Sequence, residues 1–372
     1  MDRLKVIISG GGTGGHIFPA ISIANAIREL VADADILFVG AEGRMEMQRV
    51  PDAGYEIKGL PICGFNRKNL LKNISVMFKI MKSQRMAKNI IREFRPDVAV
   101  GVGGYASGPT LNQAAAMGVP CLIQEQNSYA GVTNKLLAKK VARICVAYDG
   151  MDRFFPAEKI IKTGNPVRQS LLGVALSKKE AKKSLGLDAE KKTILVVGGS
   201  LGAKTINESI LAQLSLIDPE KMQVVWQTGN YYHKEILQTM SKSSYKHLVS
   251  DALYIVPFIK DMGIAYRAAD VVISRAGASS ISEFCLLGMP VILVPSPNVA
   301  EDHQTKNAMA LVDRHAALYV KDAEARDTLL PLAVEAVGDE GRLQALSTNI
   351  SRLALPDSAR LIAEEVIKLS GK

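Results

Sequence analysis

The 372-residue sequence contains few aromatic residues, which make up 5% of the chain and include a single tryptophan, Trp226. Proteins that bind single-stranded nucleic acid stack its bases on aromatic side chains, so this scarcity argues against nucleic acid as a partner. Cysteine is also scarce, and its four copies lie far apart, at Cys63, Cys121, Cys145 and Cys285. Their spacing excludes a disulfide framework and a Cys-x-x-Cys zinc site, and is typical of a reducing compartment such as the cytoplasm.

The sequence also lacks a recognisable signal peptide and an uninterrupted membrane span. The apolar run that begins at Leu4 is too short for a signal peptide and has no small-residue cleavage site. Residues 98–124 contain no charged side chain and are long enough to cross a bilayer, but glycine and proline interrupt them repeatedly. We therefore predict that this stretch forms a strand, a glycine loop, a buried helix and a second strand inside an α/β core.

Positive charge, in contrast, is in excess. The 46 Lys and Arg residues outnumber the 37 Asp and Glu residues, which gives a formal net charge of +9. This balance implies an anionic partner, for which nucleic acid, nucleotide phosphates and an acidic membrane surface all qualify. The 48% of hydrophobic residues is typical of a folded protein, and the length suits two domains.

The two halves of the chain repeat one order of elements. In the first half, an apolar strand at residues 4–9 leads to the glycine loop 10–16 and then to a helix that starts near Pro19. In the second half, strand 193–197 leads to the glycine turn 198–203 and to another helix. Strands that alternate with helices at this spacing indicate parallel βαβ units. The repeat therefore predicts an α/β fold with two Rossmann-like domains facing each other across a cleft.

Turn residues at 164–168 break the pattern and mark the expected domain boundary. We place the N-terminal Rossmann-like domain at residues 1–164 and the C-terminal one at residues 165–355. A last helix, at about 356–372, begins with an acidic cap signal and is expected to pack back on the N-terminal domain.

The first glycine loop fits more than one function. Gly10-x-Gly12-x-x-Gly15 matches the dinucleotide-binding fingerprint, with Glu42 placed to bind a ribose, so a nicotinamide dehydrogenase is one interpretation. In either case the glycines let the backbone approach a phosphate at a helix N-terminus. A second glycine turn, at 198–203, is unusual for a dehydrogenase. It is expected where a nucleotide diphosphate and a second phosphorylated substrate meet between two similar domains.

Residues 274–283 carry the most specific local chemistry. Small residues at a predicted helix start expose N–H donors, and Glu283 can accept two hydrogen bonds from a ribose diol. Alternatively, Glu283 interacts only with the helix dipole, which is worth roughly 0.3–1 kcal/mol. Because Ser279 and Ser280 already supply capping groups, we favour ribose binding.

Five segments in this order closely resemble the MurG family of peptidoglycan N-acetylglucosaminyltransferases, which have the GT-B fold. They are residues 11–16, 125–127, 164–168, 198–203 and 278–283. The resemblance extends over essentially the whole chain. It implies inverting transfer of N-acetylglucosamine from UDP-N-acetylglucosamine to undecaprenyl-pyrophosphoryl-muramyl-pentapeptide (lipid I to lipid II), without a cofactor, by a peripheral enzyme at the cytoplasmic side of the cell membrane.

The resemblance also implies an acceptor-binding and membrane-facing N-terminal domain, a donor-binding C-terminal domain and a set of donor-binding residues. This set comprises Thr13, Gly14, Gly15, Asn127, Arg168, Ser200, Ile259, Ala278, Ser279, Ser280, Ile281, Ser282, Glu283 and Gln304. Within it, the Ile259 backbone would read uracil, Glu283 would bind the ribose diol and Gln304 would bind the sugar hydroxyls.

Inversion in one displacement requires a base for the acceptor hydroxyl and groups that stabilise the departing diphosphate, such as helix N-termini, loop amides and Arg168. His16 is the leading candidate base, because a positive helix end nearby keeps its ring neutral. Alternatively, His16 caps the loop or orients a phosphate. Glu125 is the second candidate base, and its alternative role is to hold Asn127 and the loop in place. The sequence does not decide between the two.

We expect no required metal. Asp33-Ala34-Asp35 resembles the Asp-x-Asp motif of metal-dependent transferases, but it precedes a predicted strand. It should therefore lie at the amino edge of the sheet, whereas ligands of open α/β sheets gather at the carboxyl edge.

Residues 67–95 contain nine basic residues and one acidic residue. Among them, apolar side chains recur at helical spacing, namely Leu70, Leu71, Ile74, Met77, Phe78 and Met81. A basic amphipathic helix predicts reversible docking on an anionic membrane surface. Much of the apolar stripe is nevertheless expected to face the protein's own core.

Other functions remain open on the sequence alone. They are another GT-B glycolipid glycosyltransferase, such as a diacylglycerol galactosyltransferase, a UDP-sugar epimerase of the same fold, and a noncatalytic binding module. The sequence also leaves open the peptide and lipid chain of the acceptor, the oligomeric state and the extent of domain closure.

Overall fold

The structure, a computed structural model, describes residues 3–64, 73–167, 171, 173–199, 201–249, 251–299 and 302–372. The chain forms two compact units. The N-terminal unit comprises Met1–Arg168 together with Leu355–Lys372, and the C-terminal unit comprises Gln169–Ala354.

The described part of the N-terminal unit alternates strands and helices. Its strands are β1 Lys5–Ser9, β2 Asp35–Ala41, β3 Glu56–Leu60, β4 Val98–Gly101, β5 Cys121–Glu125, β6 Arg143–Val146 and β7 Ile160–Lys162. Its helices are α1 Gly14–Leu30, α2 Glu46–Asp52, α3 Asn73–Phe94, α4 Ser107–Ala116, α5 Val132–Leu137 and, from the end of the chain, α14 Ser358–Ser370. The strands form one parallel sheet with the order β3-β2-β1-β4-β5-β6-β7.

The sheet is covered on both faces, and the central strands β1 and β4 carry buried apolar side chains on both sides. Val6 and Ile8 of β1 and Val100 of β4 point to one face, and Ile7 and Ala99 point to the other. All five are fully buried. Continuous rather than alternating hydrophobicity is what a parallel sheet between two layers of helices requires.

Helix α1 starts earlier than the sequence predicted. It begins at Gly14 with Thr13 as its N-cap, and Pro19 lies inside the helix rather than at its start. The carbonyl of Thr13 accepts a hydrogen bond from Ile17 N at 3.2 Å, which closes the first turn ahead of the proline. The only backbone donor that Pro19 removes is its own. The prediction was therefore wrong here, and His16 belongs to the first turn of α1.

Helix α14 belongs to the N-terminal unit although it follows the C-terminal unit in the chain. Its Ile362 and Val366 are fully buried in the same cluster as Ile23 and Ile27 of α1. The apolar face of α14 therefore completes the core of the N-terminal unit.

The described part of the C-terminal unit has the same plan. Its strands are β8 Lys192–Val197, β9 Met222–Gln227, β10 Leu253–Val256, β11 Val271–Ser274, β12 Val291–Leu293 and β13 Leu318–Tyr319. Its helices are α6 Lys178–Ser184, α7 Lys204–Ala212, α8 His233–Lys242, α9 Met262–Ala268, α10 Ala278–Leu287, α11 His303–Val312, α12 Ala325–Gly338 and α13 Glu340–Ser351. The parallel sheet has the order β10-β9-β8-β11-β12-β13 and buries Trp226, whose indole N–H donates to Asn207 Oδ1 at 2.9 Å.

Each sheet has a point where the strand order reverses. It lies between β1 and β4 in the N-terminal unit and between β8 and β11 in the C-terminal unit. The glycine loop 10–13 follows β1, and Gly198, Gly199 and Gly202 of the second glycine segment lie between β8 and α7. Both glycine segments therefore lie at the carboxyl edge of a switch point, where ligands of open α/β sheets bind.

The uncharged stretch 98–124 forms β4, α4 and most of β5, which confirms the prediction of a strand, a helix and a second strand. Among the residues that the structure describes, no helix combines the length and the apolar composition that crossing a membrane requires.

Candidate functional site

The glycine loop of the N-terminal unit brings a helix N-terminus to the edge of the sheet. Gly12 has a φ of +88°, in the region that favours glycine. Thr13 and Gly15 are exposed at the start of α1, and Gly14 lies between them. The first N–H groups of a helix have no partner within it, and the helix dipole favours an anion there. This geometry suits a phosphate or a developing negative charge.

His16 is held against this loop by its Nδ1 atom. Nδ1 lies 3.1 Å from the carbonyl oxygen of Gly11 and 3.3 Å from Thr13 Oγ1. A carbonyl oxygen can only accept, so Nδ1 carries the proton in that hydrogen bond and Nε2 of the neutral ring is the nitrogen that can take one up. A Cβ at Gly103, which has a φ of +90°, would lie 3.0 Å from Nε2. The loop after β4 therefore lies so close to the imidazole ring that only glycine fits at position 103.

Glu125, the other candidate base, is 2% exposed and has both oxygens engaged. Oε1 accepts from Asn127 N at 3.0 Å and from Asn127 Nδ2 at 3.2 Å. Oε2 accepts from Gly131 N at 2.9 Å and from Asn134 Nδ2 at 2.8 Å. With four donors around it, Glu125 fixes Asn127 and the loop that follows β5, which is the alternative role that the sequence left open.

In the C-terminal unit, the segment after β11 forms the N-terminus of α10. The helix starts at Ala278 with Gly277 as N-cap and has no side-chain cap, so the expectation that Ser279 and Ser280 cap it was wrong. The Ser279 hydroxyl is buried and has no hydrogen-bond partner among the described residues. Ile281 is buried, and the Ser282 hydroxyl donates to the carbonyl of Ala278 at 3.1 Å. The Ser279 hydroxyl therefore does not cap the helix.

Glu283 lies in the second turn of α10 and is 6% exposed. Its Oε2 accepts a hydrogen bond from the Tyr266 hydroxyl of α9 at 3.2 Å. Tyr266 is itself buried and packs edge-on against Phe284. The sequence did not predict this partner, which orients the carboxylate from a neighbouring helix.

The backbone of Ile259 is engaged within the protein. Ile259 N donates to Gln227 Oε1 at 2.9 Å, and Gln227 Nε2 donates to the carbonyl of Gly199 at 3.1 Å. Gln227, the last residue of β9, thus links the second glycine turn to the loop after β10. Sequence reasoning missed it, although a glutamine at the end of a mostly apolar strand was the available signal.

Gln304 lies in the first turn of α11, and its Oε1 accepts from Ser296 N at 2.8 Å. Arg168 and Ser200, the two remaining members of the donor set, lie outside the described residues. Asp35 begins β2, so the Asp-x-Asp motif lies at the amino edge of the sheet, as predicted. In the described part of the chain, no cluster of three or more His, Cys, Asp or Glu side chains could hold a metal.

Comparison with known proteins identifies a family for both units. Residues 6–146 match the glycosyltransferase family 28 N-terminal domain, and residues 193–362 match the family 28 C-terminal domain.

Close relatives extend over the whole chain. A protein of Bacteroides fragilis named UDP-N-acetylglucosamine–N-acetylmuramyl-(pentapeptide) pyrophosphoryl-undecaprenol N-acetylglucosamine transferase is 66% identical over 99% of this chain and 96% of its own. A protein of the same name from Parabacteroides distasonis is 59% identical over 100% of both chains. The crystal structure of Acinetobacter baumannii MurG superimposes with a TM-score of 0.76 at 27% identity, covering 98% of this chain and all of that one. This chain therefore belongs to glycosyltransferase family 28 and is a glycosyltransferase of the GT-B fold, as its resemblance to the MurG family predicted.

Proposed function

We propose that this chain transfers N-acetylglucosamine from UDP-N-acetylglucosamine to undecaprenyl-pyrophosphoryl-muramyl-pentapeptide, with inversion, in peptidoglycan synthesis. One observation carries the proposal. Each unit presents a glycine loop and a helix N-terminus at the switch point of its sheet, in a chain 66% identical to a transferase named for this reaction. Two phosphate-binding edges suit a reaction in which both donor and acceptor carry a diphosphate.

The donor nucleotide is assigned to the C-terminal unit. The N-terminus of α10 and the unpaired hydroxyl of Ser279 suit the diphosphate. Glu283, oriented by Tyr266, suits the ribose diol because a carboxylate can accept from both hydroxyls. Ile259, Gln304 and the remaining members of the donor set, among them Arg168 and Ser200, are proposed to complete the site, as the family resemblance implies.

His16 is the proposed general base. The acceptor hydroxyl attacks the anomeric carbon of the sugar, the bond from that carbon to the diphosphate breaks, and the hydroxyl proton passes to His16 Nε2. The hydrogen bond from Nδ1 to Gly11 supports this assignment, since it leaves Nε2 as the basic nitrogen. Glu125 is better suited to positioning Asn127, because both of its oxygens already accept from neighbours.

The departing UDP takes up the electron pair of the broken bond and gains negative charge. Amides at the N-terminus of α10 and the guanidinium of Arg168 are the groups proposed to stabilise that charge. Thr13, Gly14 and Gly15, at the N-terminus of α1, are proposed to approach the sugar and the diphosphate from the N-terminal unit.

The proposal is tested with donor labelled in the sugar and a lipid-linked muramyl-pentapeptide acceptor. The label is expected in the lipid fraction, joined with the anomeric configuration opposite to that of the donor. Transfer to diacylglycerol in place of the muramyl lipid would favour a different glycolipid synthase, and epimerised free donor would favour an epimerase.

Helix α3 supports a membrane-facing role for the N-terminal unit. Its Met77, Phe78 and Met81 are exposed at 52%, 65% and 50% of their surface, whereas Val76, Ala87, Ile90 and Ile91 pack into the core. The expectation that much of the predicted stripe faces the core is thus wrong for its three members whose side chains are described. Leu70, Leu71 and Ile74 fall outside the described side chains.

Charge surrounds this apolar surface. The helix carries exposed basic residues, which are Lys79, Lys82, Arg85, Lys88 and Arg92. Each basic residue near an anionic leaflet contributes about 1 kcal/mol, so the set supports reversible docking at the cytoplasmic side of the membrane.

The protein is expected to pellet with anionic vesicles at low salt and to be released at high salt, because the attraction is largely screened there. Replacing Phe78 and Met81 together with serine is expected to weaken binding by on the order of tenfold or more, since two apolar side chains no longer enter the interface. Tyr231→Ser is the matched control, because Tyr231 is 80% exposed in the C-terminal unit. Binding that resists both high salt and the α3 substitutions would contradict this docking surface.

A further inference from the structure

Glu46 is a buried acid to which the reaction step described above gives no role. It is the first residue of α2 and only 1% exposed. A carboxyl group buried this deeply costs free energy unless polar partners replace the lost water. Its partners therefore indicate what it does.

Both oxygens of Glu46 accept hydrogen bonds from backbone amides. Oε2 accepts from Gly12 N at 2.8 Å, and Oε1 accepts from Ala41 N at 3.1 Å. Gly12 belongs to the glycine loop after β1, and Ala41 ends the neighbouring strand β2. One side chain thus ties the loop to the edge of the sheet beside it.

Two glycines make room for this side chain. A Cβ at Gly40 would lie 2.6 Å from Glu46 Cγ, and a Cβ at Gly11 would overlap the carboxyl group itself. Any side chain at either position would displace Glu46 from its amide partners. The backbone around Glu46 is therefore shaped to keep the carboxyl group against the loop.

The contact reaches His16 through a single peptide group. Gly12 N and the carbonyl oxygen of Gly11 belong to one planar trans peptide, so its N–H and C=O point in opposite directions. Glu46 accepts from the N–H on one side, and His16 Nδ1 donates to the C=O on the other. Hydrogen bonds in such a chain polarise one another, so the contact with Glu46 also strengthens the carbonyl as an acceptor.

We propose that Glu46 is a positioning residue for the transfer step. Through the Gly11–Gly12 peptide it fixes the carbonyl that holds His16 Nδ1–H, and so keeps Nε2 directed at the acceptor hydroxyl. The inference rests on the proposed function, in which His16 is the base. In a catalytic triad, a carboxylate accepts a hydrogen bond from the histidine and so orients its ring. Glu46 would have the same orienting role, but it would act through the Gly11–Gly12 peptide group.

Two substitutions perturb Glu46 in different ways. In Glu46→Gln, the side-chain amide nitrogen must face either Gly12 N–H or Ala41 N–H. Because this nitrogen can only donate, one of the two hydrogen bonds is lost and the Gly11–Gly12 peptide is no longer held in its orientation. Gly40→Ala instead pushes on Glu46 from the sheet and leaves the loop sequence unchanged. Glu56→Gln, at an exposed position of the neighbouring strand β3, is the matched control.

Glu46→Gln is expected to lower kcat by about 10- to 100-fold, because a small misplacement of the base is costly. The KM for UDP-N-acetylglucosamine should change by less than about threefold, since Ile259 and Glu283, which are proposed to bind the uracil and the ribose, are untouched. Gly40→Ala is expected to lower kcat by a smaller factor, and to have almost no effect in a Glu46→Ala background, where no carboxyl group remains to be displaced. If Glu46→Gln does not fold, the proposal is tested by this double-mutant cycle of Gly40→Ala and Glu46→Ala. If the effects of the two substitutions on kcat are fully additive, Gly40→Ala does not act through Glu46, which would count against the proposal.

A second readout does not depend on transfer. Nitrogen NMR of the His16 ring, at a pH well above the ordinary histidine pKa, should report the Nδ1–H tautomer in the wild type and a loss of that preference in Glu46→Gln. Loss of the preference in a protein that transfers no sugar would sustain the positioning link and refute the proposed function. An unchanged kcat together with an unchanged tautomer in folded Glu46→Gln would overturn the inference.

Discussion

Replacing His16 with asparagine is expected to lower kcat for acceptor-dependent transfer by about 10²- to 10⁴-fold, the usual contribution of a general base. The asparagine amide nitrogen can replace Nδ1 as the donor to the Gly11 carbonyl, but nothing replaces Nε2. The KM for the donor should change by less than about threefold, because Ile259 and Glu283, which are proposed to bind the uracil and the ribose, lie in the C-terminal unit. Initial rates of UDP release at varied donor concentration measure both constants.

Two further variants separate the base from its surroundings. His247→Asn, at an exposed histidine of the C-terminal unit, should retain wild-type kcat. Glu125→Gln should lower the melting temperature, because its amide nitrogen would face two of the donors that now surround the carboxylate. The base would instead be Glu125 if two results were found together. His16→Asn would keep full activity, and Glu125→Gln would lose much of its kcat without losing stability.

Replacing Asp270 with asparagine is expected to lower the free energy of unfolding of the C-terminal unit by about 3–5 kcal/mol. Asp270 accepts from Thr193 N at 2.8 Å, from Lys178 Nζ at 2.8 Å and from Lys182 Nζ at 3.3 Å. Lys182 is itself 4% exposed, so the substitution leaves a buried ammonium group without its counter-charge. Urea unfolding followed by the fluorescence of Trp226, the one tryptophan of the chain, measures the loss.

The same carboxylate makes stability depend on pH. Burial alone would raise the pKa of Asp270, but the hydrogen bond and charge of Lys178, the Thr193 N–H and the charge of Lys182 outweigh it and hold that pKa below its ordinary value. A carboxyl group with a lowered pKa in the folded state stabilises the fold above its unfolded-state pKa of about 3.9, and this contribution is lost as the pH falls through the folded-state value.

The wild-type C-terminal unit should therefore lose stability on acidification below about pH 4, and Asp270→Asn should flatten the profile in that window. Asp251→Asn, at an exposed position of the same unit, is the control and should keep the wild-type profile. If the free energy of unfolding fell by less than about 1 kcal/mol in Asp270→Asn, this would contradict the account, because the buried charge of Lys182 would then be stabilised by groups other than Asp270.

The fold could be predicted from sequence because its strands are continuous apolar runs between glycine loops. The run predicted at 193–197 is β8 Lys192–Val197, and the run predicted at 4–9 is β1 Lys5–Ser9. The start of α1 was predicted too late, because consecutive glycines are typical of a loop and Gly14 and Gly15 were therefore assigned to the loop rather than to the helix. Local propensity could not foresee that a helix begins directly after Thr13 and continues through Pro19.

The candidate site was predicted in part. The glycine loops, His16 and Glu283 were identified from residue types at strand ends and helix starts. The hydrogen-bond partners of these residues could not be identified from the sequence. Tyr266 contacts Glu283 from another helix, and Glu46 contacts Gly12 although 34 positions of sequence separate them. Such pairs depend on how elements pack, and a single sequence shows the type of a residue but not its neighbour.

Release of UDP from UDP-N-acetylglucosamine, with and without the lipid-linked muramyl-pentapeptide acceptor and in the presence of EDTA, tests the central claim most directly. We expect release only when the acceptor is present, and we expect it to survive EDTA, because helix N-termini and Arg168 are proposed to hold the leaving diphosphate. Release without acceptor, or no release with it, would contradict the assignment of this chain as the transferase that glycosylates that lipid.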